Sequence, residues 1–182
     1  GCEGHVFSLV GPKRYDVPWK DLEKTGWIAS AECIELRIDF PSTEEDILYT
    51  TATQRQKHRR ASENPAKTSI VLELVKRFPE DKIIVIGQYL EQLKVLATVL
   101  NAPIITGSTP TSERDLLYGR FRSGEINILV VSKVANFAID LPDASMAIQV
   151  SGTFGSRQEE AQRLGRILRP KDRISRFFTL IT

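Results

Sequence analysis

Hydrophobic side chains recur along this chain at two different spacings. Residues 34–40 alternate apolar and charged side chains, which is the period of a half-buried strand. Ser42 and Glu45 form a capping-box signature after that strand, and we expect one polar helix from there toward Arg60. A second helix is predicted over about residues 65–78, because its apolar side chains recur at spacing four. These side chains are Ile70, Leu74 and Phe78.

From residue 79 onward, short apolar runs alternate with helical patterns. Strands are predicted at 82–87, 103–106, 126–132, 145–151 and 176–182. Helices are predicted at 89–100, 109–124 and 156–168. In the middle helix we expect Thr109 to be the cap, Pro110 the first helical residue and Gly124 the end. Apolar strands separated by helices indicate a parallel sheet with helices on both faces, which is a three-layer α/β domain.

Ligands of such sheets bind beyond the carboxyl ends of the strands. The loops that can carry function are therefore those after Gly87, Thr106, Ser132 and Ser151. No Gly-x-x-x-x-Gly-Lys-Ser/Thr string occurs in the sequence, and no Gly-x-Gly-x-x-Gly follows a predicted strand. A parallel-sheet domain with polar loops but no phosphate cradle is expected to be incomplete as an ATPase on its own.

The composition is that of one globular domain without a strong overall charge. The 182 residues are 41% hydrophobic and 26% charged, with a net charge of +2, so any polyanion-binding role depends on local clusters. One basic cluster covers residues 55–60, and a second covers 157–176 with seven cations against three acids. Neither the two cysteines nor the two histidines have metal-ligand spacing, and no metal site is predicted.

Two further expectations concern the setting of the chain. Because it has no signal peptide and no apolar run of about 18 residues, we expect a soluble intracellular protein without a membrane partner. It would be cytoplasmic in a prokaryote or nuclear in a eukaryote. Residues 1–33 are irregular, and we interpret them as a connecting arm ahead of a folded domain at 34–182. Since the first residue is not methionine, we expect the sequence to come from a longer protein.

The predicted helix at 156–168 concentrates polar side chains on one face. Its apolar stripe consists of Ala161, Leu164 and Leu168. Its polar face consists of Gln162, Arg166 and Arg169, with Gly165 between the two faces. Guanidinium groups make planar, permanently charged, bidentate contacts to phosphate oxygens, so this face suits a polyanion. From charge alone, a solvated basic face with pairs such as Glu159–Arg163 explains the same residues.

The string from Gln162 to Arg169, QRLGRILR, resembles motif VI of superfamily 2 helicases, Q-x-x-G-R-x-x-R. Its surroundings and the arm FSLVGPKRYDVPWKDLEKTGWIA are similar to the XPB (xeroderma pigmentosum group B) type of DNA helicase. The resemblance covers nearly the whole chain. It implies a RecA-like fold, of the P-loop NTPase type, that closes over ATP with Mg²⁺ held mainly by a first, N-terminal lobe. It also implies that Arg166 and Arg169 face the γ-phosphate as arginine fingers, that Gln162 positions the nucleotide or its attacking water, and that Gly165 lies at the nucleotide.

Residues 132–142, SKVANFAIDLP, resemble motif V of the same helicases. The resemblance implies that Asp140 accepts a ribose hydroxyl or ties this loop to motif VI, and that Ser132 and Lys133 lie near DNA. As a sequence pattern, Asp-Leu-Pro is also an ordinary turn former. Ala138 stands where most members of the superfamily carry glycine.

Two earlier loops resemble the DNA-contacting motifs of these helicases. The stretch ITGSTPTSER resembles the motif that holds the DNA backbone, and GQYLEQ resembles motif IV. The DNA contacts that follow from these resemblances are Gln88, Gly107, Ser108, Thr109 and Arg114. Thr109 is equally explained by helix capping, and Tyr89 by packing. The basic cluster at 55–60 lies where the XPB type carries a DNA-gripping thumb insertion, but its residues match that insertion weakly and a solvated helix face is the favoured interpretation.

Together the resemblances imply an ATP-dependent DNA helicase in which this chain supplies arginine fingers and half of the DNA track. Its partners would be DNA, the first lobe and a nuclease or repair factor, and the isolated chain would be inactive. The alternative is a non-catalytic RecA-like module that docks a repair partner or nuclease. A third possibility is a relative such as a chromatin-remodelling translocase or a restriction-enzyme motor, which shares the chemistry but not the arm or the string GTFGSRQEEAQRLGRILRP.

Overall fold

A computed structural model describes residues 31–132, 144–151 and 175–182 of the chain. The strands in these ranges are β1 (Ala31–Arg37), β2 (Ile83–Gly87), β3 (Ile104–Ile105), β4 (Ile128–Ser132), β5 (Met146–Gln149) and β6 (Ser175–Ile181). The helices are α1 (Thr43–Thr50), α2 (Gln54–Ser62), α3 (Ala66–Arg77), α4 (Leu90–Val99) and α5 (Thr111–Ser123). The predicted arm at 1–33 and the predicted helix at 156–168 fall wholly or largely outside the described residues and stay predictions.

The six strands form one sheet in the order β1-β6-β5-β2-β4-β3. Every neighbouring pair is parallel. All the strands therefore end on the same side of the sheet, which we call the carboxyl edge. The predicted parallel sheet is confirmed, and β2 lies between β5 and β4, the strands that precede the two undescribed internal segments.

Strand β2 shows why both faces of the sheet are covered. All five of its residues are buried, and its four apolar side chains point alternately to two separate hydrophobic clusters. Ile84 and Ile86 pack into the cluster that contains Phe121 of α5. Ile83 and Val85 pack into the cluster that contains residues of α3 and α4. The three-layer arrangement predicted from the apolar strands is thus confirmed.

The single helix expected between Ser42 and Arg60 is wrong, since the structure has two helices there. The first helix ends at Thr50, and Thr51 is its C-cap residue. The hydroxyls of Thr50 and Thr51 both donate to the Ile47 carbonyl at this end. A new start follows at Thr53, whose backbone N–H and hydroxyl both donate to the Gln56 side chain. Threonines that bond locally to the backbone favour caps and turns over helix interiors.

The predicted cap of α5 is also wrong. The helix begins at Thr111 with Pro110 as the N-cap residue, whose ψ of 148° is extended and not helical. Thr109 thus lies one residue before the cap position, and its hydroxyl accepts instead from the Thr106 N–H at 2.9 Å. The predicted end is confirmed, because Gly124 takes a left-handed conformation with φ 80°.

No helix within the described ranges is both long and apolar enough to cross a membrane.

Candidate functional site

The carboxyl edge brings together the sequence-predicted residues that the structure describes. Gln88 follows β2, the 106–109 loop follows β3, and Ser132 ends β4. Ser151 lies just beyond β5. Because β2 lies between β5 and β4, Gln88 is placed between Ser151 and Ser132 along this edge.

Gln88 is joined to the neighbouring strand end by a hydrogen bond. Its backbone N–H donates to the Ser151 hydroxyl at 2.5 Å, while its side chain remains exposed. Gly87, immediately before it, has no room for a side chain, since an added Cβ would lie 2.8 Å from Leu93 and 2.9 Å from Val150. The close approach of β2 and β5 therefore fixes the backbone of Gln88. The side-chain amide of Gln88 remains exposed and can face a ligand.

The 106–109 loop is a compact turn held by its own hydroxyl groups. The Thr106 N–H donates to the Thr109 hydroxyl at 2.9 Å, and the Thr106 and Ser108 hydroxyls lie 2.9 Å apart. Arg114 donates to the carbonyls of Thr106 at 3.3 Å and Thr109 at 2.9 Å. The Arg114 guanidinium thus stabilises the loop through two of its carbonyls, while Gly107 and Ser108 are exposed at the tip of the loop.

Ser132 differs from the other predicted contacts because it is buried. Only 3% of its surface is exposed, and its hydroxyl has no hydrogen-bond partner among the described residues. A buried hydroxyl in that state carries a desolvation cost. Its position at the end of β4 directly precedes Lys133, the first residue of an undescribed segment.

A groove of about 470 Å³ separates α2 from the carboxyl edge. Its lining consists of Arg55, Gln56, His58, Arg59, Gln88 and Tyr89. Tyr89 packs against α2, with its hydroxyl 3.1 Å from His58 Nδ1 and its ring 5.8 Å from the Arg59 guanidinium. Arg59 also forms an ion pair with Glu63 at 2.6 Å, which raises the pKa of the guanidinium. Helix α2, which carries the basic cluster at 55–60, therefore lines the same groove as Gln88.

Two residues at this edge were missed by sequence reasoning. Lys67 is 2% exposed as a residue, its amine donates to the Val150 carbonyl at 2.9 Å, and burial lowers the pKa of the amine to about 8. Asn64 is 1% exposed and donates to the Asp39 carbonyl and the Thr182 hydroxyl, each at 3.0 Å. The available signal was the position of Lys67, which shares the buried face of α3 with Val71.

Arg176, which contributed to the predicted basic cluster at 157–176, lies at the opposite end of the sheet. It forms an ion pair with Asp81 at 3.2 Å and stacks 4.6 Å from the centre of the Phe78 ring. Asp81 also accepts from the Ser145 hydroxyl at 2.8 Å. Arg176 therefore stabilises the sheet from the edge opposite the candidate site.

The remaining predicted site residues lie outside the described part of the chain. They are Lys133, Asp140, Gln162, Gly165, Arg166 and Arg169. The structure places only the strand ends that precede them. Lys133 follows β4 directly. The segment that contains Gln162, Gly165, Arg166 and Arg169 begins after Ser151. Both segments thus leave the sheet at the carboxyl edge, on the two sides of β2.

Comparison with known proteins gives a consistent result over most of the chain. The family model for the ERCC3/RAD25/XPB C-terminal helicase domain matches residues 22–181. The protein named DNA 3'-5' helicase XPB from Mycobacterium tuberculosis is 57% identical over 94% of this chain and 31% of its own length. The protein of the same name from Kineococcus radiotolerans is 54% identical over 100% of this chain and 33% of its own length. The chain therefore spans about a third of these curated relatives.

Relatives in eukaryotes and solved structures extend the comparison. A Trypanosoma brucei protein named TFIIH basal transcription factor complex helicase/translocase XPB subunit is 37% identical over 98% of this chain and 21% of its own length. The DEAD-box protein SrmB from E. coli, in a crystal structure with RraA, matches with a TM-score of 0.60 at 22% identity. The C-terminal domain of the DEAD-box protein Dbp5 gives 0.60 at 18%. Both matches cover 84% of this chain and 77% of the other, and they show the RecA-like fold.

Proposed function

The chain belongs to the ERCC3/RAD25/XPB C-terminal helicase family, and from this premise we propose that it is the second motor lobe of an ATP-dependent DNA helicase or translocase. The observation that carries the proposal is the QRLGRILR string in a chain of this family. The undescribed segment that contains the string begins after Ser151, and the preceding strand β5 ends at the edge where parallel sheets bind their ligands.

ATP hydrolysis by such a protein requires positive charge at the γ-phosphate. Negative charge spreads over the transferred phosphoryl group in the transition state, and an arginine finger stabilises it by roughly 10³- to 10⁵-fold in rate. We assign this role to Arg166 and Arg169. Gln162 would orient the nucleotide or the attacking water, Gly165 would allow close approach to the nucleotide, and Asp140 would accept a ribose hydroxyl.

ATP with Mg²⁺ would be bound mainly by a first lobe that is not part of this sequence. The chain contains no phosphate-cradling glycine loop. Across the residues that the structure describes, no three His, Cys, Asp or Glu side chains come together as metal ligands. The contribution of this lobe is therefore to supply cations to a nucleotide held elsewhere.

DNA would run along the carboxyl edge, held through its phosphates. Gly107 and Ser108 are exposed at the tip of the ordered 106–109 loop, and the uncapped start of α5 follows them. Backbone N–H groups at a helix start and short hydroxyls suit phosphate oxygens. The exposed Gln88 side chain lies at the same edge, and Ser132, which is buried at the end of β4, and the following Lys133 are assigned to the DNA track from the motif resemblance alone. Such contacts read the backbone, so binding is independent of base sequence and weakens with salt.

A non-catalytic module that docks a nuclease or repair factor is the second candidate. It rests on the exposed apolar side chains of α4, where Leu90, Val95 and Val99 are 46%, 52% and 45% exposed. Under this alternative Arg166 and Arg169 would be dispensable for turnover. Their occurrence in a complete motif string favours the motor lobe.

The proposal can be tested by measuring ATP hydrolysis in three samples with and without DNA. The full-length protein is expected to be a DNA-stimulated ATPase, and the 182-residue chain alone is expected to be inactive. Mixing the chain with a separately purified first lobe should restore part of the stimulated activity. A full-length protein without DNA-stimulated hydrolysis would contradict the motor-lobe function and favour the docking module.

A further inference from the structure

Lys67 is a buried lysine whose amine makes a hydrogen bond to a backbone carbonyl at the end of β5. It lies on the core side of α3 with 2% of its surface exposed, and it donates to the backbone carbonyl of Val150 at 2.9 Å. Burial lowers its pKa to about 8, so the protein bears a cost for keeping an amine here. An apolar side chain would fill the same space without that cost. The hydrogen bond to Val150 is what such a side chain could not provide.

Val150 is the point where the chain leaves β5 at the carboxyl edge. Its N–H donates to the Ile86 carbonyl at 2.9 Å, and the next residue, Ser151, accepts from the Gln88 N–H. These two bonds tie the strand end to β2 on one side. Lys67 ties it to α3 through the remaining backbone group, so the direction of the chain at this point is fixed from two elements.

The start of α3 is itself fastened to the carboxyl edge. The Asn64 side-chain amide donates to the Asp39 carbonyl after β1 and to the Thr182 hydroxyl after β6, and its side-chain oxygen Oδ1 accepts from the Ala66 N–H at 2.9 Å. Lys67 is one helical turn further along. The hydrogen bond from Lys67 to Val150 therefore connects the end of β5, through the start of α3, to the ends of β1 and β6.

We propose that Lys67 is a positioning residue for ATP hydrolysis, which acts by fixing the backbone at Val150 where the chain leaves β5. The inference rests on the proposed function, because the motif VI string begins 12 residues after Val150. Lys67 touches no reacting atom and acts only through the backbone. A misplacement of about 1 Å of a catalytic group can lower a rate by roughly 10²-fold. Loss of the tether should therefore lower turnover and leave substrate binding intact.

The test is Lys67→Met in the full-length protein, with Lys76→Met as the matched control. Lys76 is exposed on the same helix, so both variants lose one lysine from α3 and only the first loses the bond to Val150. For Lys67→Met we expect kcat of the DNA-stimulated ATPase to fall about 10- to 100-fold. KM for ATP and Kd for DNA should stay within about twofold of wild type, and the thermal midpoint should be no lower than that of wild type. The control should match wild type in every measurement.

Three outcomes would overturn the proposal, and a fourth would overturn the proposed function on which it rests. Wild-type kcat in Lys67→Met overturns it, as does a fall in kcat that matches only a loss of folded protein. If Lys67→Met does not fold, Lys67→Gln replaces it, since glutamine stays polar but is one atom too short to reach Val150 in the same way. Wild-type kcat in that variant likewise overturns the inference. If wild type and Lys76→Met both lack DNA-stimulated hydrolysis, the proposed function itself fails.

Discussion

The backbone N–H of Gln88 donates to the hydroxyl of Ser151 at 2.5 Å, although 63 residues separate them in sequence. The bond joins the residue after β2 to the residue after β5 at the carboxyl edge. One partner carries a predicted DNA contact, and the other directly precedes the segment with the predicted arginine fingers. This hydrogen bond therefore links the two strand ends from which the proposed DNA contact and the proposed arginine fingers follow in sequence.

That contact depends on the absence of a side chain at Gly87. We expect Gly87→Ala to lower the free energy of unfolding by about 1–3 kcal/mol, because its Cβ would lie 2.8 Å from Leu93 and 2.9 Å from Val150. Gly119→Ala is the control, since no atom lies within 4 Å of its added Cβ on α5. That change should stabilise the chain by roughly 0.5–1 kcal/mol. Urea denaturation of both variants measures the difference, and equal stability would contradict the close approach.

The buried amine of Lys67 predicts a pH dependence of stability. Its pKa is about 8 in the folded state against 10.5 for the free side chain, so the unfolded chain binds more protons between these values. The contribution of Lys67 to stability is therefore complete above pH 10.5 and is lost as pH falls through 8. As pH rises over this range, the free energy of unfolding of wild type should increase by up to roughly 3 kcal/mol relative to that of Lys67→Met.

Urea denaturation of wild type and Lys67→Met at a series of pH values from 7 to 10 measures this gain. Comparing the two curves cancels the titration of all other groups. Lys76→Met, on the exposed side of α3, should keep the wild-type pH dependence. Parallel curves for wild type and Lys67→Met would show that the amine titrates as a free lysine does.

The exposed tip of the 106–109 loop predicts an effect on DNA affinity. Ser108→Glu places a negative charge where a phosphate is expected, and we predict about a tenfold loss of affinity at moderate salt. Ser69→Glu is the control, because Ser69 is exposed on α3 and adds the same charge elsewhere. Fluorescence anisotropy with labelled duplex DNA at fixed salt compares the two. Equal affinity of both variants would remove this loop from the DNA track.

The fold could be predicted from the sequence to a large extent. The buried strands are short apolar runs between helices, and that pattern is enough to predict a parallel sheet covered on both faces. The errors arose where local hydroxyl groups compete with the helix backbone. Thr51 and Thr53 divide one expected helix into two, and Thr109 bonds within its loop in place of capping α5.

The site could be predicted only where residues lie at strand ends. Topology brings Gln88, the 106–109 loop and Ser132 to one edge, as expected for parallel strands. What a side chain contacts there depends on tertiary packing, which a local pattern does not contain. Arg114 turns back to its own loop, and Lys67 reaches a carbonyl 83 residues away. Neither contact follows from spacing along the chain.

The central claim about the motor lobe is the assignment of Arg166 and Arg169 as arginine fingers, and one measurement tests it directly. DNA-stimulated ATP hydrolysis should be compared in full-length wild type, Arg166→Ala, Arg169→Ala and the control Arg163→Ala, which changes an arginine at a variable position of the motif. We predict that loss of the dominant finger lowers kcat by about 10³-fold or more, with the control near wild type. Wild-type hydrolysis in both finger variants would contradict it.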